Sequence, residues 1–402
     1  MMRRLFVLPI CAVAALATLP LQGAAQTLFS TRGLGAPIRP IDARATALGG
    51  STTGLFGFNL AFDNPAEASG ILRRGASATI QPSWTKVDLG GGDESIGGSR
   101  FPLIRVIYPV SPRLTATLGY GGYLDQTWGV VASGEEVLGT DTIGTTDVLR
   151  SQGGVSQIRF GFAYSLTDNL AVGLTGGMYT GSLDRSIRRT FEDTVSFQSF
   201  ESRLRWSYKA PQATIGARWD AMTGVRLGAA VTVGGKLKAS AEEGVAEDRE
   251  YGAPMKLTAG GSAQVSRDLM VTAGLTRERF PEVTSEGSGV PGSAGTSTHD
   301  VWQYGGGVEY TGMRNATRTL PLRLGGRMGT LPYAGATEEA PKEWAVSFGT
   351  GFTLATEQRL PQALLDVSLE RAGRKGLEST ALPDGLSESF WRLNVSLSLF
   401  GR

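Results

Sequence analysis

Thiols are all but missing from this chain of 402 residues, in which Cys11 is the single cysteine. It lies inside a stretch that reads as an export signal. Arg3 and Arg4 form a positive start, residues 5–19 an apolar run, and Gly23-Ala24-Ala25 a small-residue cleavage site. Cleavage after Ala25 leaves a mature chain that starts at Gln26 and has no thiol. Ile10, not a small residue, precedes Cys11, which argues against a lipid-anchored cysteine. Disulfides, cysteine-held metals and cysteine nucleophiles are thereby excluded.

Histidine is nearly as scarce, with His299 alone. A serine-type triad would have to use it, and Asp300, its sequence neighbour, is poorly placed for triad geometry. No cluster of histidines and carboxylates has metal-ligand spacing. Gly90-Gly91-Gly92 and Gly305-Gly306-Gly307 lack the Lys-Ser/Thr and helix that follow in a phosphate loop. The expectation is a protein that is not an enzyme and carries neither cofactor nor metal.

Charge of one sign is also lacking. Arg3 and Arg4 are two of 39 basic residues, and without them the basic side chains match the 37 acidic ones. No basic stripe offers itself to nucleic acid. Beyond the signal no apolar run reaches the roughly 18 residues of a membrane-spanning helix. Yet the mean hydropathy of −0.06 is neither greasy nor strongly polar. A wall that meets lipid on one face and water on the other has such an average.

What the chain does have is alternation of period two. Trp391, Leu393, Val395, Leu397 and Leu399 alternate with Arg392, Asn394, Ser396 and Ser398. Ile158, Phe160, Phe162 and Tyr164 alternate with Arg159, Gly161 and Ala163. Segments of this kind recur along the chain, about ten to fifteen residues each, too long for the ~5–6 residues usual in a soluble sandwich. Short links near 110–112, 167–169, 221–224, 266–268, 312–319 and 355–361 take turns with long polar ones near 90–99, 133–152, 183–198, 240–252, 281–299, 331–342 and 373–387. The reading is an all-β transmembrane antiparallel β-barrel of about 14 strands, with tight turns at one end and longer loops at the other. Closure follows from the bilayer, where an unpaired sheet edge has no water to satisfy it. Trp84, Tyr108, Trp128, Trp206, Trp219, Trp302, Trp344 and Trp391 are candidates for an interfacial aromatic girdle.

Residues 26–72 do not read as strands. Ile41 to Gly50 suggests a short capped helical turn ended by glycines. Phe56, Phe58 and Phe62 follow, then Asp63-Asn64-Pro65-Ala66. The division expected is a signal over 1–25, an N-terminal plug (hatch) over 26–72 and the barrel over 73–402.

The run from Ala43-Arg44 to Gly49-Gly50, followed by Asn64-Pro65-Ala66, resembles the hatch of the FadL/TodX-type transporters of hydrophobic compounds. Leu322-Arg323-Leu324-Gly325-Gly326, Glu343-Trp344-Ala345-Val346 and Phe390-Trp391-Arg392-Leu393 are similar to their last strands. The resemblance implies a monomeric fourteen-stranded barrel in the bacterial outer membrane, among lipid and lipopolysaccharide. It implies passive passage of a hydrophobic small-molecule ligand, fatty-acid-like or aromatic, with an exit where the plug and a kinked strand open a gap. On it, Asn64, Pro65 and Ala66 match the plug motif, and Phe56, Phe58 and Phe62 are candidates for apolar lining. The long loops look polar. Arg185, Arg188 and Arg189 with Phe191 offer the remaining ligand contact, their guanidinium groups suited to a carboxylate. Two alternatives stay open: a PorV-like barrel that binds a secretion-system partner protein, and a general porin.

Overall fold

Alternation becomes a wall because successive side chains of a strand point to opposite faces. In the computed structural model, which describes residues 27–58, 62–88, 93–138, 141–193, 196–244, 247–283, 296–315, 318–335, 339–357, 360–376 and 386–401, the outward members are exposed and the inward ones buried. Phe160, Phe162 and Tyr164 are exposed, while Gln157, Arg159 and Ala163 of the opposite phase are buried. Thr115, Thr117, Thr214, Thr232 and Ser347 face inward in the same way. The signal expected over 1–25 and the middle of the Gly/Ser-rich stretch before His299 lie outside the described residues.

Fourteen strands close the ring, all antiparallel. They are β1 (Gly75–Asp88), β2 (Asp93–Ser111), β3 (Leu114–Asp125), β4 (Asp141–Ser165), β5 (Leu170–Phe191), β6 (Phe200–Met222) and β7 (Val225–Gly234). The second half is β8 (Met255–Ser266), β9 (Leu269–Arg279), β10 (Asp300–Tyr310), β11 (Leu322–Thr330), β12 (Lys342–Glu357), β13 (Leu360–Gly376) and β14 (Leu386–Phe400). Each pairs with the next, and β14 returns to β1 from Gly75↔Phe400 to Asp88↔Ser387. All six short links fall where the sequence places them, at one end of the cylinder.

The other end differs from expectation. Much of what reads as loop continues the ladder. Trp128–Leu138 pairs with the first part of β4, which runs 25 residues, and β4 in turn pairs with β5 out to Thr145↔Phe191. Leu237–Glu243 extends β7 along β6, and Arg249–Tyr251 folds back on it. Past the apolar band a strand no longer needs a greasy outward face, so its alternation fades while its hydrogen bonds persist.

Trp128 and Trp206 are corrections of the same kind. Both are buried inside rather than set in the outer girdle, whereas Trp84, Tyr108, Trp219, Trp302, Trp344 and Trp391 are exposed. Trp206 is in phase with inward Tyr208 and Ala210.

The N-terminal segment touches the inward face of most of the ring. A helical turn, α1 (Ala43–Ala47), is capped by the Asp42 carboxylate, which accepts from Ala45 N at 2.7 Å. It ends at Gly49 and Gly50, both at positive φ. Its flanks reach β14 through Ala43 N and Ser396 Oγ (2.7 Å) and β12 through Thr46 O and Ser347 Oγ (2.7 Å). Arg44 grips Glu309 of β10 at 2.8 and 2.9 Å. Inward glycines bring wall and segment backbone together: a Cβ on Gly305 would lie 2.0 Å from Gly49 O, and one on Gly325 2.2 Å from Gly49 N. One piece of this segment is itself a strand, against expectation: Ala36–Pro37 pairs with Leu124 and Asp125 of β3.

Candidate ligand route

The Asn-Pro-Ala motif is a clip. Asn64 is wholly buried, and its Oδ1 accepts from Ala66 N at 3.1 Å, capping the 3-10 turn Pro65–Ala68. Its Nδ2 donates to Ala217 O of β6 (3.0 Å) and to Glu67 Oε1 (3.2 Å). Glu67 also accepts from Gly54 N at 2.7 Å. Pro65 and Ala66 lie where a Cβ on Gly173 of β5 would fall. The motif thus ties two turns of the segment to two strands.

Phe56, Phe58 and Phe62 are not brought together. Phe62 lies under the Arg159 guanidinium (4.6 Å) and against Gly119 of β3. Phe56 packs under Arg226 of β7 (4.7 Å). Phe58, partly exposed, meets Phe400 of β14 at 4.5 Å. Each fixes the segment to a different sector of wall.

Aromatic lining is found instead at the long-link end, inside the strand extensions. Tyr123 packs on Tyr179 (4.6 Å) and Phe280 (5.5 Å), and Phe280 on Tyr333 (6.4 Å). Trp206, Tyr208 and Tyr251 belong to the same buried cluster, with Leu34 of the N-terminal segment. Tyr123, Tyr179 and Phe280 of this cluster also line a small chamber of about 20 Å³, whose polar floor is formed by Arg39, Arg159, Lys256 and Glu278. Sequence reasoning missed this chamber by taking the inward positions as uniformly hydrophilic. The Trp206-x-Tyr208 phase and the inward parity of Tyr123 and Tyr179 were the signal available.

Among the described residues the Tyr123 hydroxyl and Arg185 Nε have no hydrogen-bond partner. Arg185 is the one member of the suggested loop quartet that turns inward, near Tyr208 and Tyr251. Arg188 is bound to Glu201 at 2.6 Å, and Arg189 to Asp147 (2.7 Å) and Glu136 (2.6 Å). Phe191 packs at a tilt on Phe197, 5.5 Å between ring centres.

Beside the chamber the wall parts. β2 and β3 pair only from Leu103↔Gly121 to Ser111↔Leu114. Beyond Gly121, β2 stays with β1, while β3 turns inward and its last two residues pair with Ala36–Pro37. Glycine permits this approach: a Cβ on Gly122 would lie 2.6 Å from Ile38 Cγ2, and one on Gly121 2.7 Å from Pro40. Phe101 is exposed at the parting, and Arg100 spans it toward Asp125 at 3.9 Å.

His299 bonds Ser297 at 2.9 Å, but Asp300 is engaged with Arg277 at 2.6 Å. The pair has no acidic residue orienting it among these contacts.

No protein-family model and no curated sequence matches the chain. Solved structures do. A FadL homologue from Pseudomonas aeruginosa superposes with a TM-score of 0.59 at 12% identity, covering 91% of this chain and 99% of that one. The toluene transporter TbuX of Ralstonia pickettii gives 0.53 at 16%, with 90% and 98% covered. The toluene transporter TodX of Pseudomonas putida gives 0.52 at 14%, with 90% and 97% covered. The chain has the FadL-type barrel fold.

Proposed function

We propose that this chain is a bacterial outer-membrane channel that lets hydrophobic small molecules pass passively, with residues 26–72 as its plug. The observation that carries the reading is the parting of β2 and β3 directly beside an aromatic chamber. An apolar solute gains by leaving water for such a chamber. A sideways exit returns it to lipid without crossing the polar floor formed by Arg39, Arg159 and Lys256. The plug closes the straight path, since its backbone lies against inward glycines of β10 and β11. The long-link end faces outward on this reading and both termini face the periplasm. Solved neighbours described as toluene transporters support an aromatic solute.

The test is uptake by liposomes carrying the folded barrel, with a fluorescent fatty acid and a monoaromatic hydrocarbon as probes. Entry above that of protein-free liposomes is expected. A folded barrel that admits no apolar probe overturns the reading.

A scaffold role has one observation in its favour. The hairpin of Trp128–Leu138 and β4 projects past the band and exposes Val131 and Val137. Co-purification of a large partner that dissociates on trimming this hairpin, with no uptake activity, decides for that role.

A further inference from the structure

The chain has seven lysines, and six of them (Lys86, Lys209, Lys236, Lys238, Lys342 and Lys375) are exposed near the long-link end. The seventh, Lys256, faces inward to Asp63 at 2.9 Å. Four of the six form two pairs in direct register across neighbouring strands, Lys342↔Lys375 and Lys209↔Lys238. Like charges directly opposite on one sheet face repel, their Cβ atoms roughly 5 Å apart. An anion placed over such a pair relieves that repulsion.

The surroundings name the anion. Lys342 is one outward position beyond Trp344, and Lys86 one beyond Trp84; both tryptophans are about half exposed, as is Trp391 between them. Indole rings of this kind mark the boundary between acyl chains and headgroups. The lysines stand one step above it, where lipid phosphates lie. Along their row Lys375 meets Ser387, and the first outward carboxylate, Asp88, is two strands away, on the strand that carries Lys86. The second pair is answered within the chain, since Glu250 stands directly opposite Lys238 and bonds Lys236 at 2.7 Å.

We propose that the Lys342–Lys375 pair, with Lys86 beside it, holds the phosphate groups of an outer-leaflet glycolipid. The proposal rests on the reading of the long-link end as the outer one. Bound lipid phosphate ties neighbouring strands together where the ladder leaves the membrane and offsets the lysine repulsion.

Native mass spectrometry of the whole folded barrel tests it, with bis-phosphoryl lipid A, the same lipid stripped of phosphate, and inorganic phosphate as probes. Bis-phosphoryl lipid A is expected to stay bound and the stripped lipid to dissociate. Inorganic phosphate is expected to compete only weakly, since it lacks the chains that the tryptophans hold. If it saturates the site alone, the seat is a free-anion site and the lipid assignment fails. Each of K342Q, K375Q and K86Q should lower affinity about fivefold, the effect expected of one lysine near an anionic surface. The triple variant, checked for folding by heat-shifted gel mobility, should no longer discriminate the two lipids. Equal retention of both lipids by the parent, or undiminished binding by the triple variant, overturns the proposal. Thiol labelling of G134C in intact cells reports orientation. Labelling without lipid discrimination sinks the lysine seat alone and leaves transport to the uptake assay. A folded, unlabelled barrel sinks the orientation and the seat with it.

Discussion

The seam between the N-terminal segment and the wall is where one methyl group should count most. At Gly305 a Cβ would stand 2.0 Å from Gly49 O, and at Gly325 2.2 Å from Gly49 N. Real Cβ atoms essentially never come within 3.0 Å of a neighbour, so G305A forces about 1 Å of movement between two backbones. The wall is held by ladders on both sides of β10, to β9 and to β11. The N-terminal segment is held there by single contacts, chiefly Arg44 to Glu309, Ala43 N to Ser396 and Thr46 O to Ser347. The segment must therefore give. Overpacking of this kind costs about 1–3 kcal/mol, comparable to one or two of those hydrogen bonds at about 1 kcal/mol each. The expected result is a barrel that keeps its fold while residues 43–52 lose protection from hydrogen exchange. Its ionic conductance in planar bilayers should rise above the parent's. G326A, whose Cβ would find ordinary contact at 3.6 Å from Ala345 O, should behave like the parent. Unchanged exchange and conductance in G305A and G325A would refute the tight seam.

Three further outcomes follow from the geometry. N64A removes a cap and two donations, so the local opening energy near Gly54 and Ala66 should fall by about 2 kcal/mol; hydrogen exchange that leaves these amides unchanged contradicts the clip. R185L should slow uptake of a fatty-acid probe severalfold while a neutral aromatic enters as before, because the inward guanidinium is the part that distinguishes a carboxylate; an equal loss for both refutes that division. The Arg189 guanidinium, hydrogen-bonded to Asp147, holds that carboxyl below its ordinary value of 3.8. A depressed carboxyl supports the hairpin at all pH above its unfolded value and ceases to do so as pH falls through the folded one. Exchange protection around Asp147 should be the same at pH 7 and pH 5 and decline below about 4; loss between 7 and 5 would show that another group governs it.

The barrel was legible because its walls meet two solvents. Phe160 and Arg159 cannot exchange faces, so the alternation that records this survives in the sequence, and the tight links at Thr167 and Gly224 are set by turn chemistry. The helical turn at Ala43–Ala47 was legible for a local reason too, with Asp42 before it and Gly49-Gly50 after. Extent was not legible. Val130 to Leu138 is polar and apolar without rhythm, since water lies on both sides of that ladder and imposes no pattern. The chamber was hidden for the opposite reason: Trp206, Tyr208 and Tyr179 obey the alternation, but their inward phase implies grease where a wet lumen was expected. Trp128 and Trp206 were assigned to the girdle by residue type, and only the phase of neighbouring positions separates an inner tryptophan from an outer one. Asn64, Pro65 and Ala66 could be singled out as a motif, but their partners Ala217 and Gly173 lie more than a hundred residues on, where no local signal points back.

The short ladder between Ala36–Pro37 and the end of β3 also bears on how the molecule is made. Thr27 bonds Glu388 across 361 residues, and the seam of β14 with β1 joins the two ends of the wall around a chain that is itself hydrogen-bonded to β3. Gripped through Arg44 and Asn64, that chain is enclosed when the seam closes. The amino-terminal stretch is thus placed to serve as a mandrel on which the sheet is wound. A chain synthesised without it should stall as an open, unsewn sheet at the insertion machinery.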